Sequence, residues 1–322
     1  VVGPTSGVPV NATGNEQTDP VAIADGSGGV IVSCTEFGGA ATVNDIAVQR
    51  FDASLNRVWG NAGRYATQNV DTQRRPVLAP DGAGGAFVAW EDRANGTDLD
   101  VRVNRIDASG TVLFGTNGTF ASSGGGDQED PRIAADGLGN AWVVLTTEAD
   151  ETIGDIRVQR WAGNGALLLS RNLMTADGVR QRSPEIAGDG AGGAFVTWDE
   201  VLTAPTVVRV RVQRLDPVGN ARWGSSGLLA FDDLPFSNGT LPLSDGQGGV
   251  FLVSLGSELL TQRYDSDGSR RWAFGGVPST LAGSVQFPAS AVGQPDGSLL
   301  VAWRRDGLGD SPPVQQGVTP RA

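Results

Sequence analysis

The sequence lacks two residue types on which many active sites depend. Its 322 residues include no histidine, and all 24 basic residues are arginine, so lysine is absent too. Without histidine, Ser-His-Asp and Cys-His catalysis and His-ligated metal sites are excluded. Without lysine, Schiff-base chemistry and the phosphate-binding P-loop are excluded. Catalysis is left to Asp, Glu, Tyr, Ser, Thr and Arg, and metal binding to oxygen ligands, which suit Ca²⁺ or Mg²⁺.

Other absences narrow the class of protein. Cys34 is the single cysteine, so no internal disulfide can form. The net charge of −12 argues against nucleic-acid and anionic membrane partners, which bind clustered basic residues. No apolar run is long enough to cross a bilayer, and no signal peptide is visible. We expect a mature or trimmed chain that belongs to a larger polypeptide or assembly.

A repeat dominates what the sequence does contain. DGAGGAFVAW (81–90) returns almost unchanged as DGAGGAFVTW (189–198). Related Asp-Gly pairs begin at positions 25, 81, 136, 189, 245 and 296, which are 51 to 56 residues apart. A second motif, such as DIAVQRFDASLNRVW (45–59), follows the first five copies. A fixed period of this size indicates a repeat architecture, and the Gly-bounded Val-rich runs indicate strands.

Each unit contains four antiparallel strands, so the sequence predicts an all-β, six-bladed β-propeller in one domain. The N-terminus carries a fourth strand without its first three, and the C-terminus carries three without a fourth. We therefore expect the N-terminal strand to close the last blade, which removes two exposed strand edges. The predicted repeats span residues 20–75, 76–130, 131–183, 184–239, 240–287, and 288–322 with 1–19.

These motifs resemble a family. Repeats of the form DGxGG followed by VQRxDxxGxxW and QxxP are similar to those of secreted bacterial repeat proteins, many of which are multidomain and sorted to the cell surface. The resemblance covers nearly the whole chain and implies a propeller-like fold and an extracellular, cell-surface or periplasmic location. No sorting tail is present in this sequence.

Several repeated residues have two interpretations. The Asp-Gly stretches could cradle phosphate, but strand residues follow them where a helix would be needed, so we interpret them as turns. Arg50 and Asp52, repeated in most blades, could bind a ligand or form inter-blade ion pairs.

The recurring tryptophans could pack between blades or stack on sugars. Four glutamines lie three residues before a blade-opening proline and could line the channel mouth or bond the crossing chain: Gln17, Gln73, Gln128 and Gln181.

The segments between the second and third strands vary most among the repeats, and binding sites are usually grafted onto such loops. Charged residues there could bind a sugar or Ca²⁺, or form a solvated rim. These ligand-binding candidates are Glu36, Glu91, Asp92, Arg93, Glu148, Asp199, Glu200, Arg304 and Arg305. We expect no cofactor other than Ca²⁺ in these loops, and no local motif marks a catalytic pair of carboxylates.

The sequence favours a non-catalytic binding or scaffold module, not an enzyme, that presents these loops to a glycan or protein partner. One alternative is a carbohydrate-active hydrolase or lyase that uses Asp, Glu or Tyr. Another is a structural subunit of an extracellular or membrane-associated assembly.

Overall fold

The structure, a computed structural model, describes residues 8–38, 44–93, 96–150, 153–173, 178–203, 206–256, 259–278, 290–293, 298–303 and 314–318. Every helix or strand found in these residues is a β-strand, which confirms the predicted all-β class. No helix in this described part is long and apolar enough to span a membrane.

Consecutive strands pair antiparallel into sheets. Five sheets of four strands and one of three are present in the described ranges. The first three sheets contain β1 (Gln17–Ala24), β2 (Val30–Phe37), β3 (Asn44–Phe51) and β4 (Arg64–Thr67); β5 (Gln73–Pro80), β6 (Ala86–Asp92), β7 (Asp100–Ile106) and β8 (Thr119–Ser122); and β9 (Gln128–Ala135), β10 (Ala141–Asp150), β11 (Ile153–Trp161) and β12 (Leu167–Asn172).

The remaining sheets repeat the same order. They contain β13 (Arg180–Gly188), β14 (Ala194–Thr203), β15 (Thr206–Leu215) and β16 (Leu228–Leu234); β17 (Ser237–Ser244), β18 (Val250–Gly256), β19 (Leu260–Tyr264) and β20 (Val277–Pro278); and β21 (Ser290–Gly293), β22 (Leu299–Trp303) and β23 (Val314–Val318). This succession of antiparallel blades is a β-propeller-type fold, as predicted.

The chain divides into two compact units. The first comprises Val1–Glu151 and Arg157–Arg171, and the second comprises Thr152–Ile156 and Asn172–Ala322. The count of six blades around one axis and the closing of the last blade by the N-terminus stay predictions. Residues 1–7 of the proposed closing strand lie outside the described residues, and residues 8–16 form no strand.

The Asp-Gly stretches are turns, as expected. Between β5 and β6, Asp81 Oδ1 accepts hydrogen bonds from the N–H groups of Ala83 and Gly85, both at 2.8 Å. Gly84 has φ +88°, and a Cβ on Gly85 would lie 2.3 Å from the Ile106 carbonyl oxygen. The two glycines therefore serve different needs, a left-handed backbone and a close approach.

The repeated arginine joins this turn to its own sheet and to the next one. Arg105 Nη2 lies 2.8 Å from Asp81 Oδ2, and Arg105 Nη1 donates to the Gly163 carbonyl at 2.8 Å. Arg50 makes the same pair with Asp25 at 2.9 Å and reaches the Ala108 carbonyl at 3.2 Å. The planar guanidinium supplies donors in both directions, which a lysine could not do.

The cores lie between successive sheets. Ile31, Ile46 and Val48 of the first sheet pack against Val88 and Trp90 of the second, and all are buried. Burial at several repeat positions confirms the packing interpretation for Trp59, Trp90, Trp198 and Trp223. Cys34 is buried as well, and burial, with the nearby Glu36 charge, raises the pKa of its thiol to about 11.

Each of the first three sheets begins three residues earlier than the sequence predicted. Strands β1, β5 and β9 start at Gln17, Gln73 and Gln128, three residues before the proline at which each repeat was expected to open. The register shifts just there, for example between Arg74 and Val77. A β-bulge thus lets the strand pass through the proline, because the lost N–H falls at a break in the ladder.

Candidate functional site

The bulge holds one residue per sheet in an unusual conformation. The residue before the proline has positive φ in four sheets, at 50° for Asp19 and 51° for Arg75, Asp130 and Ser183. Non-glycine residues seldom adopt this region, and the same geometry returns each time with a different side chain. Bulges re-aim side chains, and such backbone strain is concentrated at functional sites.

In the first unit, three of these bulges line one open cleft of about 370 Å³. Strands β1, β5 and β9 contribute Asp19, Arg75 and Asp130, and the prolines that follow them form its apolar part. Glu91, at the end of β6, lies among them. The cleft therefore combines carboxylates, a guanidinium and rigid proline rings.

Glu91 is the best-anchored carboxylate of this cleft. Its side chain is fully buried and accepts from Arg74 Nε at 2.7 Å, from Arg75 Nη1 at 3.3 Å and from the Asp130 N–H at 3.2 Å. Arg75 Nη1 also lies 3.7 Å from Asp130 Oδ1. The two carboxylates share one nitrogen, so these oxygens lie within about 7 Å of each other.

Glu129, next to Asp130, differs from Glu91 because no arginine lies opposite it and its pKa is raised. Burial, together with the nearby charges of Asp130, Glu148 and Glu91, raises its pKa to about 7. Its register partner on β10 is Thr146 rather than an arginine. At neutral pH, Glu129 is therefore divided between its protonated and ionised forms, whereas Glu91 is paired with two arginines.

Glu36 is tied into the chain that precedes β1. Its carboxylate accepts from Asn15 at 2.9 Å, Tyr65 at 3.0 Å, and Asn11 and Gln17 at 3.2 Å. Burial raises its pKa, but these hydrogen bonds outweigh burial and leave the pKa below its usual range. The geometry indicates an anchor for this segment.

The other predicted acids lie mostly on buried strand ends rather than in exposed loops. Asp92 lies 3.0 Å from Arg102 Nε, and Glu200 Oε1 lies 3.0 Å from Arg211 Nε. Asp199 is buried on β14, and Glu148 is half-buried on β10. Arg93 is exposed just after β6, and Arg304 and Arg305 lie outside the described residues.

The four glutamines contact the chain between sheets. Gln17, Gln73 and Gln128 donate to the carbonyl oxygens of Asn11, Val70 and Gly126. Gln181 accepts from the Ile156 N–H at 3.4 Å. The residues two positions after Gln17, Gln73 and Gln128 line the cleft instead. Asp19, Arg75, Asp130 and Glu129 were therefore missed, although they occupy the variable positions of QTDP, QRRP and QEDP.

In the described part of the chain, no three Asp, Glu or Cys side chains come together as a metal site. Tyr65, one of the two tyrosines considered for catalysis, donates to Glu36, and burial and that contact raise its pKa. Tyr264 is buried and donates to the Leu229 carbonyl at 3.2 Å. The cleft carboxylates are thus the groups with acid–base capacity.

Comparison with known proteins identifies the fold. No family model and no curated protein sequence matches the chain. Among solved structures, it is similar to the α-L-arabinanase of Penicillium chrysogenum complexed with arabinobiose, with TM-score 0.50, 13% identity, and 91% of each chain covered. It is also similar to a protein of unknown function from Dyadobacter fermentans, with TM-score 0.48, 10% identity, and 95% of each chain covered. An α-L-arabinofuranosidase from Fusarium graminearum matches with TM-score 0.48 and 10% identity over 91% of this chain and 90% of that one. At such identities the likeness shows the fold alone.

The expectation of a non-catalytic binding or scaffold module is contradicted by this comparison, and so is the expectation that the chain is not an enzyme. The solved structure that matches with TM-score 0.50 is an α-L-arabinanase, which is a carbohydrate-active enzyme. The sequence argument was wrong because missing His and Lys exclude only mechanisms that need them. Glycoside hydrolysis needs two carboxyl groups, and this chain has 36 acidic residues.

Proposed function

We propose that this chain is a carbohydrate-active hydrolase that cleaves glycosidic bonds in the cleft of its first unit. One observation carries the proposal: Asp130 lines an open cleft in which Arg75 contacts its carboxylate, and Glu129, the preceding residue in the chain, has a pKa near 7. A glycosidase needs one carboxyl group that keeps its proton and a second that is ionised. Likeness in fold to an arabinanase complexed with arabinobiose adds support.

The proposed roles follow from the environment of each group. Glu129 donates a proton to the departing glycosidic oxygen. Asp130 is the accessible carboxyl group beside Arg75, with about a third of its side chain exposed (34%), and it activates water or attacks the sugar. Glu91 fixes Asp130 through its backbone N–H and through Arg75, so Glu91 is a positioning residue. Arg75 Nη1, 3.3 Å from a Glu91 oxygen and 3.7 Å from an Asp130 oxygen, holds these two carboxyl groups close together.

The test is hydrolysis of an oligosaccharide panel that includes arabinobiose and longer arabinan fragments, followed by release of reducing ends. Glu129→Gln is expected to lower kcat by about 10²- to 10⁴-fold, the usual contribution of a general acid. Glu16→Gln makes the same chemical change on an exposed residue outside the cleft and is expected to keep full activity. Wild-type activity should fall as the pH rises past 7, because Glu129 then loses its proton.

Two results would overturn the proposal. One is that no glycan of the panel is cleaved by the folded protein. The other is that Glu129→Gln and Glu16→Gln retain equal activity on a glycan that is cleaved.

The proposal includes an extracellular, cell-surface or periplasmic location. It is supported by the resemblance of the DGxGG and VQRxDxxGxxW repeats to secreted bacterial repeat proteins. Fractionation of the native cells and immunoblotting of each fraction test it, and recovery in the cytoplasm alone would contradict it.

A further inference from the structure

The contact that anchors Glu91 has a counterpart in the second unit. On β5 and β6, Arg74 lies directly opposite Glu91, and the two are 2.7 Å apart. On β13 and β14, Arg182 lies directly opposite Asp199 in the same register. In both places the acid also accepts from a backbone N–H of the following sheet's bulge, that of Asp130 or Gly239.

The counterpart differs in what remains unpaired. Asp199 is fully buried, and its Oδ1 accepts from Ser237 Oγ at 3.1 Å. Its Oδ2 has no hydrogen-bond partner among the described residues, and neither has the buried Nε of Arg182. Aspartate is one methylene shorter than glutamate, so the Asp199 carboxylate does not reach Arg182, whereas the Glu91 carboxylate reaches Arg74.

A third group that hydrogen-bonds to both Asp199 Oδ2 and Arg182 Nε would remove the cost of leaving them unpaired. A buried polar atom without a hydrogen bond is destabilising, and more so when the group is charged. Arg182 and Asp199 lie directly opposite each other on antiparallel strands, so their side chains are neighbours on one face of the sheet. One small polar group between them would satisfy both.

The chemistry of the pair selects the ligand. Oδ2 accepts a hydrogen bond and Nε donates one, so the ligand atom must donate and accept at once. A hydroxyl does both. A metal cation would be repelled by Arg182, and an anion would be repelled by Asp199 and by Glu185, whose charge also acts on Asp199.

We propose that Asp199 and Arg182 form a binding site for a hydroxyl group of a neutral sugar. Arg182 is half-buried and so connects the site to the surface. The choice of a sugar among hydroxyl-bearing ligands rests on the proposed function, whereas the site itself depends only on the second unit. Asp199→Glu is expected to abolish binding, because the longer side chain would reach Arg182 as Glu91 reaches Arg74.

The ionisation of Asp199 provides the readout. Burial raises its pKa to about 7, and the hydrogen bond from Ser237 and the charge of Arg182 only partly oppose burial. A hydroxyl that donates to the carboxylate favours the charged form, so ligand binding must lower this pKa.

The experiment follows the Asp199 carboxyl by ¹³C NMR in the full chain, with Glu129→Gln present so that no ligand is hydrolysed. Asp199→Asn assigns the signal. Arabinobiose is expected to lower the midpoint by about one unit, saturably, and in Asp199→Glu the midpoint of the new carboxyl should not respond to arabinobiose. Asp52→Asn, a remote change of the same chemistry, should leave the shift intact.

Sodium acetate and CaCl₂ serve as charged comparisons. A midpoint that responds to acetate or Ca²⁺ but not to arabinobiose would overturn the proposal, as would an unchanged midpoint in all three. The wild-type titration decides the matter even if Asp199→Glu fails to fold. An arabinobiose shift in a protein that cleaves no glycan would overturn the proposed function alone, and cleavage without the shift would overturn this site alone.

Discussion

The aspartate of each Asp-Gly turn should contribute far more to stability than the aspartate of a turn between the third and fourth strands. Asp81 accepts four hydrogen bonds: two from the Ala83 and Gly85 N–H groups at 2.8 Å, and two from Arg105 at 2.8 and 3.1 Å. Its side chain is fully buried. Asp52 also accepts from backbone N–H groups, those of Ser54 and Asn56 at 2.9 Å, but at an exposed site.

The substitution Asp81→Ala removes the only carboxylate that Arg105 contacts in the described residues. Removal of one partner of a buried ion pair costs about 3–5 kcal/mol, because the remaining charge stays buried and uncompensated. The Arg105 side chain is only 19% exposed, so water replaces little of the loss. We therefore expect Asp81→Ala to lower the free energy of unfolding by about 4 kcal/mol. At Asp52, water can replace the lost acceptor, and the decrease should be much smaller.

Urea unfolding monitored by circular dichroism and by tryptophan fluorescence measures both variants. Since the chain has two compact units, the transition that reports on the first unit is the one to compare. A lower urea midpoint with an unchanged m value would show that the substitution lowers the free energy of unfolding and does not change the surface exposed on unfolding. Equal losses for Asp81→Ala and Asp52→Ala would refute the reasoning, since burial would then not govern the cost.

Two further predictions concern the turn glycines and the buried acid of the second unit. Gly85→Ala should destabilise by about 3 kcal/mol, because its Cβ would lie 2.3 Å from a backbone oxygen, whereas Gly82→Ala has open space and should lose only about 1 kcal/mol to its positive φ. Urea midpoints measure both, and a larger loss at Gly82 would contradict the steric argument. Asp199 has a folded pKa near 7 against 3.8 for the free group, so its stabilising protonated form is fully present below about pH 4 and is lost as the pH rises through 7. Relative to Asp199→Asn, the wild type should lose up to about 2–3 kcal/mol between pH 5 and 8, and a difference that does not change with pH would contradict the shift.

The fold was predictable because its signals are local and repeated. An Asp-Gly turn fixes its hairpin within ten residues, and an ion pair between the turn aspartate and an arginine of the third strand recurs in five sheets, as in Arg50 with Asp25 and Arg263 with Asp245. The repeated arginines do form ion pairs, but within a sheet rather than between blades, because each pairs with the turn aspartate of its own sheet. Their contact with the next sheet is a hydrogen bond to a carbonyl oxygen.

The cleft was not predictable for a reason of backbone chemistry. A residue before proline normally avoids the helical and left-handed regions, so each proline was expected to open its strand. The bulge places Asp19, Arg75 and Asp130 at φ near 50° instead, and turns their side chains to the cleft. No pattern in a single sequence predicts that conformation. The QxxP segment does occur four times, however, and a comparison of its two middle positions would have identified these residues.

One cross-strand pair distinguishes the sheets more sharply than any loop does. The residue after each glutamine lies directly opposite a residue of the second strand, and the pairs are Thr18 with Thr35, Arg74 with Glu91, Glu129 with Thr146, and Arg182 with Asp199. The same backbone position thus holds a neutral pair, a closed ion pair, an acid without a cation, and an unclosed ion pair. Turns and inter-sheet arginines stay constant because every sheet needs them to fold. A position that the fold keeps in place while its chemistry changes from sheet to sheet is free to serve a ligand, and both proposed sites depend on it.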